Sequence, residues 1–233
     1  MKIHKNSRKN DETQTSKQNA GEAMYKLCER LFPICRSITG AGFRKSLDIL
    51  NKELGGIMQM HAVKSGTRVF DWVVPPEWNV QGAYIIAPSG EKICDFKQNN
   101  LHLVGYSVPV CQEMSLDELQ SHLYSLETLP DAIPYVTSYY KRRWGFCLSH
   151  NERKRLKQGV YKVFIDSTLD EKGVLNYADF VIPATTKSEG EVLFSTYLCH
   201  PSMANNELSG PAVATYLAKA LLHGGGAGRA SPR

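Results

Sequence analysis

Hydrophobic and polar positions change their period several times along the 233-residue chain. Residues 1–20 show no apolar period and are expected to be a disordered tail. Met24, Leu27 and Leu31 then recur at helical spacing, and Pro33 limits that helix. The stretch Arg-Ser-Ile-Thr-Gly-Ala-Gly breaks the chain. Phe43, Leu47, Leu50 and Leu54 mark a second helix by steps of four, three and four, with Gly55 and Gly56 as its left-handed stop. The two predict an α-hairpin packed on another element.

From Ile57 the period shortens toward two. IMQMHAV, RVFDWVV, GAYIIAP, EKICDF, GVYKVFID and LNYADFVIPA all read as strands, and Ser89-Gly90 gives a hairpin signal between the third and the fourth. Ser115 with Glu118 forms a capping box ahead of Leu116, Leu119 and Leu123, which predicts one short helix. Residues of about 65–175 are thus strand-rich. Val192 to Cys199 is a largely apolar run, as in an internal strand buried on both faces of a parallel sheet. Ser209, Gly210 and Pro211 open a helix over 211–222 whose apolar face is Val213, Tyr216, Leu217, Ala220 and Leu221. Strand, polar loop and helix make a βα unit, and ligands of such sheets lie beyond the carboxyl ends of the strands, where His200 stands. The Gly-rich end, 223–233, reads as a low-complexity tail that cannot continue a sheet.

Composition is globular, with 42% apolar and 22% charged residues. The chain has no apolar run long enough for a membrane span and no secretory h-region near its start, so a cytoplasmic protein is expected. Six cysteines without a Cys-x-x-Cys pair fit reduced thiols in that compartment. The net charge of +5 resides in the ends: 1–20 carries five basic and two acidic residues, and 224–233 carries Arg229 and Arg233. The remaining 203 residues are neutral in sum, which argues against a nucleic-acid face. YYKRRWGF interleaves basic and aromatic residues, but as a single run it reads as a surface or inter-domain contact.

The loop CHPSMANNELSG holds the candidate chemistry. His200 supplies an imidazole nitrogen suited to zinc, and Asn206 and Glu207 supply oxygens six and seven residues later. A polar loop whose histidine bonds to backbone is the other reading of that spacing. On a strand, Cys199 and His200 point to opposite faces, so no Cys–His pair is expected and Cys199 reads as a buried thiol. Ser209 reads as a helix-capping hydroxyl.

LFPICRSITGAG, RVFDWVVPPEWNV and STYLCHPSMANNELSGP resemble a family of bacterial and archaeal aminopeptidase-like proteins usually described by a domain of unknown function. That family is related to co-catalytic zinc aminopeptidases of the aminopeptidase Y and glutamate carboxypeptidase type. The resemblance spans roughly 22–222. It implies an α/β fold, an incomplete zinc-peptidase-like (phosphorylase/hydrolase-like) sheet with an inserted β-rich domain. The implied boundaries place 21–64 and 176–222 in the N-terminal part of the aminopeptidase-like domain and 65–175 in the insert.

By the same resemblance His200 matches the first zinc-ligand histidine. The metal-bridging aspartate falls on Asn206, and Glu207 stands next to it as a carboxylate. The family's general base and remaining ligands lie after the helix that ends near 222, so the chain is expected to be C-terminally truncated and inactive alone, with an incomplete zinc site. The implied activity is attack of metal-activated water on an amide bond of a peptide or small amide substrate, with no nucleic-acid or membrane partner. The alternatives are a non-catalytic binding module associated with polysaccharide biosynthesis and a disrupted gene product.

Overall fold

The computed structural model describes residues 20–184, 186–187 and 189–224. Helix α1 occupies 20–31 and helix α2 Ala41–Glu53. Residue 20 therefore belongs to a helix. The rest of the expected N-terminal tail, and all of the C-terminal one beyond residue 224, lies outside the described residues. Leu27 and Leu31 of α1 meet Phe43, Leu47 and Leu50 of α2 in one apolar cluster, which is the expected hairpin. Gly55 and Gly56 stop α2 with φ of 73° and 83°, a conformation that glycine adopts without a Cβ clash.

The strand-rich middle begins with β1 (Gln59–Lys64). RVFDWVV divides into β2 (Arg68–Val69) and β3 (Trp72–Val73) about a tight turn at Phe70, whose φ is 55°. β4 (Glu77–Ile86) and β5 (Lys92–Ile93) form the expected hairpin around Ser89-Gly90. β6 (Val110–Ser115) runs into α3 (Leu116–Gln120), and both bonds of the Ser115–Glu118 capping box are made. β7 (Leu123–Tyr124) and β8 (Phe146–Cys147) are a two-residue parallel pair. α4 (His150–Arg155) starts on a second capping box, Ser149 with Glu152. β9 (Val160–Asp170) and β10 (Val174–Asp179) complete the set.

One antiparallel sheet, in the order β5-β4-β9-β6, organises this region. Burial alternates along β9, so one face of the sheet is buried. Trp78, Ile85, Phe146, Tyr161, Val163 and Ile165 belong to its core. β10 returns to pair with β1, register Gln59↔Asp179, and brings the chain back beside the helices. Gly40 marks a close approach between the helical and strand-rich parts. Its φ is 97°, and a Cβ there would stand 2.3 Å from the Trp78 carbonyl oxygen. The start of α2 is thereby seated on β4.

The expected buried strand over Val192–Cys199 does not form. This segment joins no ladder among the described residues, and Val192 and Leu193 are 80% and 89% exposed. An apolar run becomes a strand only when neighbouring strands take up its backbone groups, and no described strand lies alongside. The expected parallel α/β sheet is correspondingly absent among the described residues, and the architecture is mixed α/β with several small sheets. The helix expected over 211–222 is present as α5 (Ser209–Gly224). It packs on the helical hairpin: Ala212 joins the α1–α2 cluster, and Lys219 meets Glu53 at 2.9 Å, a carboxylate that also takes Arg30 at 2.7 Å.

Candidate functional site

The site is built on the turn that leads into α5. Residues Ala204–Leu208 form a π-helical turn that continues into α5. Ser209 therefore does not cap a helix, as the sequence suggested; its hydroxyl donates back to the Asn205 carbonyl. Leu208 is fully buried among Leu27, Leu31 and Leu198, and this anchor draws Glu207 inward, where it too has no exposed surface.

A buried carboxylate requires partners, and His200 supplies two. Its backbone N–H donates to Glu207 Oε1 at 2.7 Å, and its Nδ1 lies 2.7 Å from Oε2. A carboxylate only accepts, so Nδ1 carries the hydrogen, and in the neutral tautomer this bond selects the lone pair lies on Nε2. The imidazole is partly open, at 25%. Tyr135 and Tyr197 present themselves edge-on to it, with centroids at 4.7 and 5.8 Å.

Arg36 closes the other side. It is 1% exposed, and its Nη2 donates to the His200 carbonyl at 3.1 Å. Its Nη1 donates to the carbonyls of Leu31, the last residue of α1, and of Ile34 in the turn after it. Burial pushes the guanidinium pKa down, and the negative charge of Glu207 opposes that shift.

Cys199 Sγ lies 3.9 Å from His200 Nδ1, which corrects the expectation that the two side chains diverge. The alternation behind that expectation holds only in a strand, and this segment is not one. The thiol is pushed up to about 12, by burial first and then by the charge of Glu207, so it is inert toward nucleophilic chemistry near neutral pH. Cys199, His200 and Glu207 bring one ligand-type atom each within 4.8 Å of one another. Asn206 is exposed on the turn, and its carbonyl accepts from the Tyr197 hydroxyl.

Of the sequence candidates, His200 and Glu207 are thus brought together, with Asn206 beside them at the surface. Arg36, Cys199, Tyr135 and Tyr197 also belong to the site and were not singled out for it in the sequence. The Arg36 context, CRSITG, carries no local sign that its charge is buried. Tyr135 reaches the site from the strand-rich region, 65 residues before His200.

Residues 77–168 match the family described as Domain of unknown function (DUF2172). A Clostridium acetobutylicum protein, provisionally named a polysaccharide biosynthesis protein with an aminopeptidase-like domain, is 51% identical over 208 residues, which cover 89% of this chain and 46% of that protein. A crystal structure from Clostridium acetobutylicum, of a protein provisionally named a peptidase, superposes with a TM-score of 0.84 at 50% identity over 91% of this chain and 49% of the other. The chain therefore spans about half the length of the relatives it matches. No described helix is long and apolar enough to cross a membrane. The stretch from the start of β4 into β9 thus matches the DUF2172 family, within a chain similar along about nine-tenths of its length to these aminopeptidase-like and peptidase-named proteins.

Proposed function

We propose that this chain supplies a metal-holding histidine to an aminopeptidase-like amide hydrolase, with His200 as ligand through Nε2 and Glu207 as the carboxylate that orients it. The observation that carries this reading is the fully buried Glu207, whose two oxygens accept from the backbone and the ring of one histidine at 2.7 Å each. A carboxylate behind a ligating imidazole fixes its tautomer and raises its basicity. Zinc at such a site polarises an amide carbonyl and lowers the pKa of water.

The chain's own residues prepare the place. Glu207 keeps the hydrogen on Nδ1 and leaves Nε2 free. Arg36 fixes the His200 carbonyl, so backbone and ring are both held. Asn206, exposed on the same turn, is the adjacent neutral oxygen donor. The Cys199 thiol would have to lose a proton that its surroundings retain. A catalytic zinc takes about three protein ligands, and the described residues offer fewer uncommitted donors than that. The chain by itself is therefore a weak zinc binder without turnover. The substrate class of the complete site is a peptide or small amide.

Calorimetric titration of the 233-residue chain with zinc tests the proposal. Weak binding is expected, lost in His200→Ala and weakened about 10- to 100-fold in Glu207→Gln, with circular dichroism confirming that both variants fold. Tight stoichiometric zinc that survives His200→Ala would refute the assignment. Turnover of an aminoacyl amide by the chain alone would refute its inactivity.

A further inference from the structure

A second site lies between the start of α2, the loop before it, and β4. A cleft of about 510 Å³ opens there, within the range of small-molecule pockets and far larger than one inorganic ion needs. Among the described residues three cations line it, Arg30, Arg36 and Lys45, and no aspartate or glutamate does. Lys45 is exposed and has no carboxylate partner among the described residues. Arg30 is paired with Glu53 but its side chain is half exposed.

Two further features carry the same sign. The 13-residue α2 begins at this cleft with glycine as its N-cap and no acid in its first turn, and Asn79 of the cleft wall accepts from the Ala41 N–H at 2.7 Å. Its positive dipole end thus meets one neutral amide oxygen and no acid of its own first turn. Independently, Arg36 forms part of the wall, is 1% exposed, and has a buried Nε with no hydrogen-bond partner. A buried cationic donor without an acceptor is costly, and an oxyanion in the cleft would bring negative charge to the same wall. Gln81, exposed at the bulge of β4, adds an uncharged amide to the rim.

We propose that this cleft binds a hydroxyl-rich small molecule bearing one oxyanion, a phosphate or a carboxylate. The anionic group sits among Lys45, Arg36 and the start of α2, and the neutral body lies toward Gln81. The volume fits a sugar-sized ligand, and the described lining holds no carboxylate to repel the anion. This reading shares Arg36 with the His200 site but needs neither Nε2 of His200 nor Glu207, so a metal-free titration tests it apart from the zinc proposal.

The test is calorimetry of the 233-residue chain, without metal, against glucose 6-phosphate, glucuronate and glucose. At least one of the anionic sugars binds, glucose binds at least about tenfold more weakly, and added salt weakens the anionic complex. The tighter of the two anions identifies phosphate or carboxylate as the recognised group. Lys45→Ala, a surface change to a strong helix former, weakens the anion by about tenfold, the scale of one lost charge-assisted hydrogen bond. Lys157→Ala, at an exposed lysine outside the cleft, has no effect. Equal binding of glucose, binding of neither anion, or an equal loss in Lys45→Ala and Lys157→Ala would overturn the proposal.

Discussion

Replacing Glu77 with glutamine should destabilise the protein by about 2–3 kcal/mol at neutral pH and have almost no effect near pH 2. Glu77 is the first residue of β4 and is 8% exposed. Its carboxylate accepts from Arg44 Nη2 of α2 at 2.7 Å, from the Val174 N–H of β10 at 3.1 Å, and from Asn79 Nδ2 at 3.1 Å. One side chain thus ties the helical hairpin to the strand-rich region and to the strand that returns from it. The Arg44 hydrogen bond is the largest cause holding the carboxyl down to about 2, and burial works against it.

The ordinary value is 4.5, and each unit of difference corresponds to about 1.4 kcal/mol, which gives an upper bound of about 3.5 kcal/mol. Arg44 is 40% exposed, and water takes part of that. The folded pKa lies below the unfolded one, so the unfolded chain binds the extra proton between them. The stabilisation is therefore complete above about pH 4.5 and is lost as pH falls toward 2. Glutamine cannot titrate, so the difference between the two proteins isolates this carboxyl from all other acids. Urea unfolding followed by tryptophan fluorescence at several pH values between 2 and 7 measures it. A difference that stays constant across that range, or one below about 0.5 kcal/mol at pH 7, would refute the reasoning.

Gly173→Ala should destabilise through the same joint, by about 1–3 kcal/mol, because a Cβ there would stand 2.2 Å from Glu77 Cβ; a midpoint of urea unfolding equal to wild type would count against this packing. Thiol labelling at pH 8 with mass-spectrometric mapping should modify the exposed Cys111 first. Cys94, Cys147 and Cys199 should lag, since burial pushes the first well up and the other two to about 12; early labelling of Cys199 would contradict the enclosure of the His200 site.

What the sequence by itself determined was local. Apolar steps of three and four placed α1 and α2, and Gly55-Gly56 stopped the second where its positive φ is found. Ser115 and Glu118 announced α3, and Ser149 with Glu152, the same signal left unused, stands at the start of α4. His200 and Glu207 were legible as partners because they share one short loop. The tertiary structure decided the rest. The run at 192–199 has the composition of an internal strand, yet among the described residues its backbone meets no neighbouring strand, and the alternation that separated Cys199 from His200 vanished with it. Arg36 and Tyr135 reach His200 across 164 and 65 residues, and no pattern in their own neighbourhoods records that meeting. Periodicity reports how a backbone repeats along a few residues. The burial of a charge and the pairing of a strand depend on groups that only folding brings together.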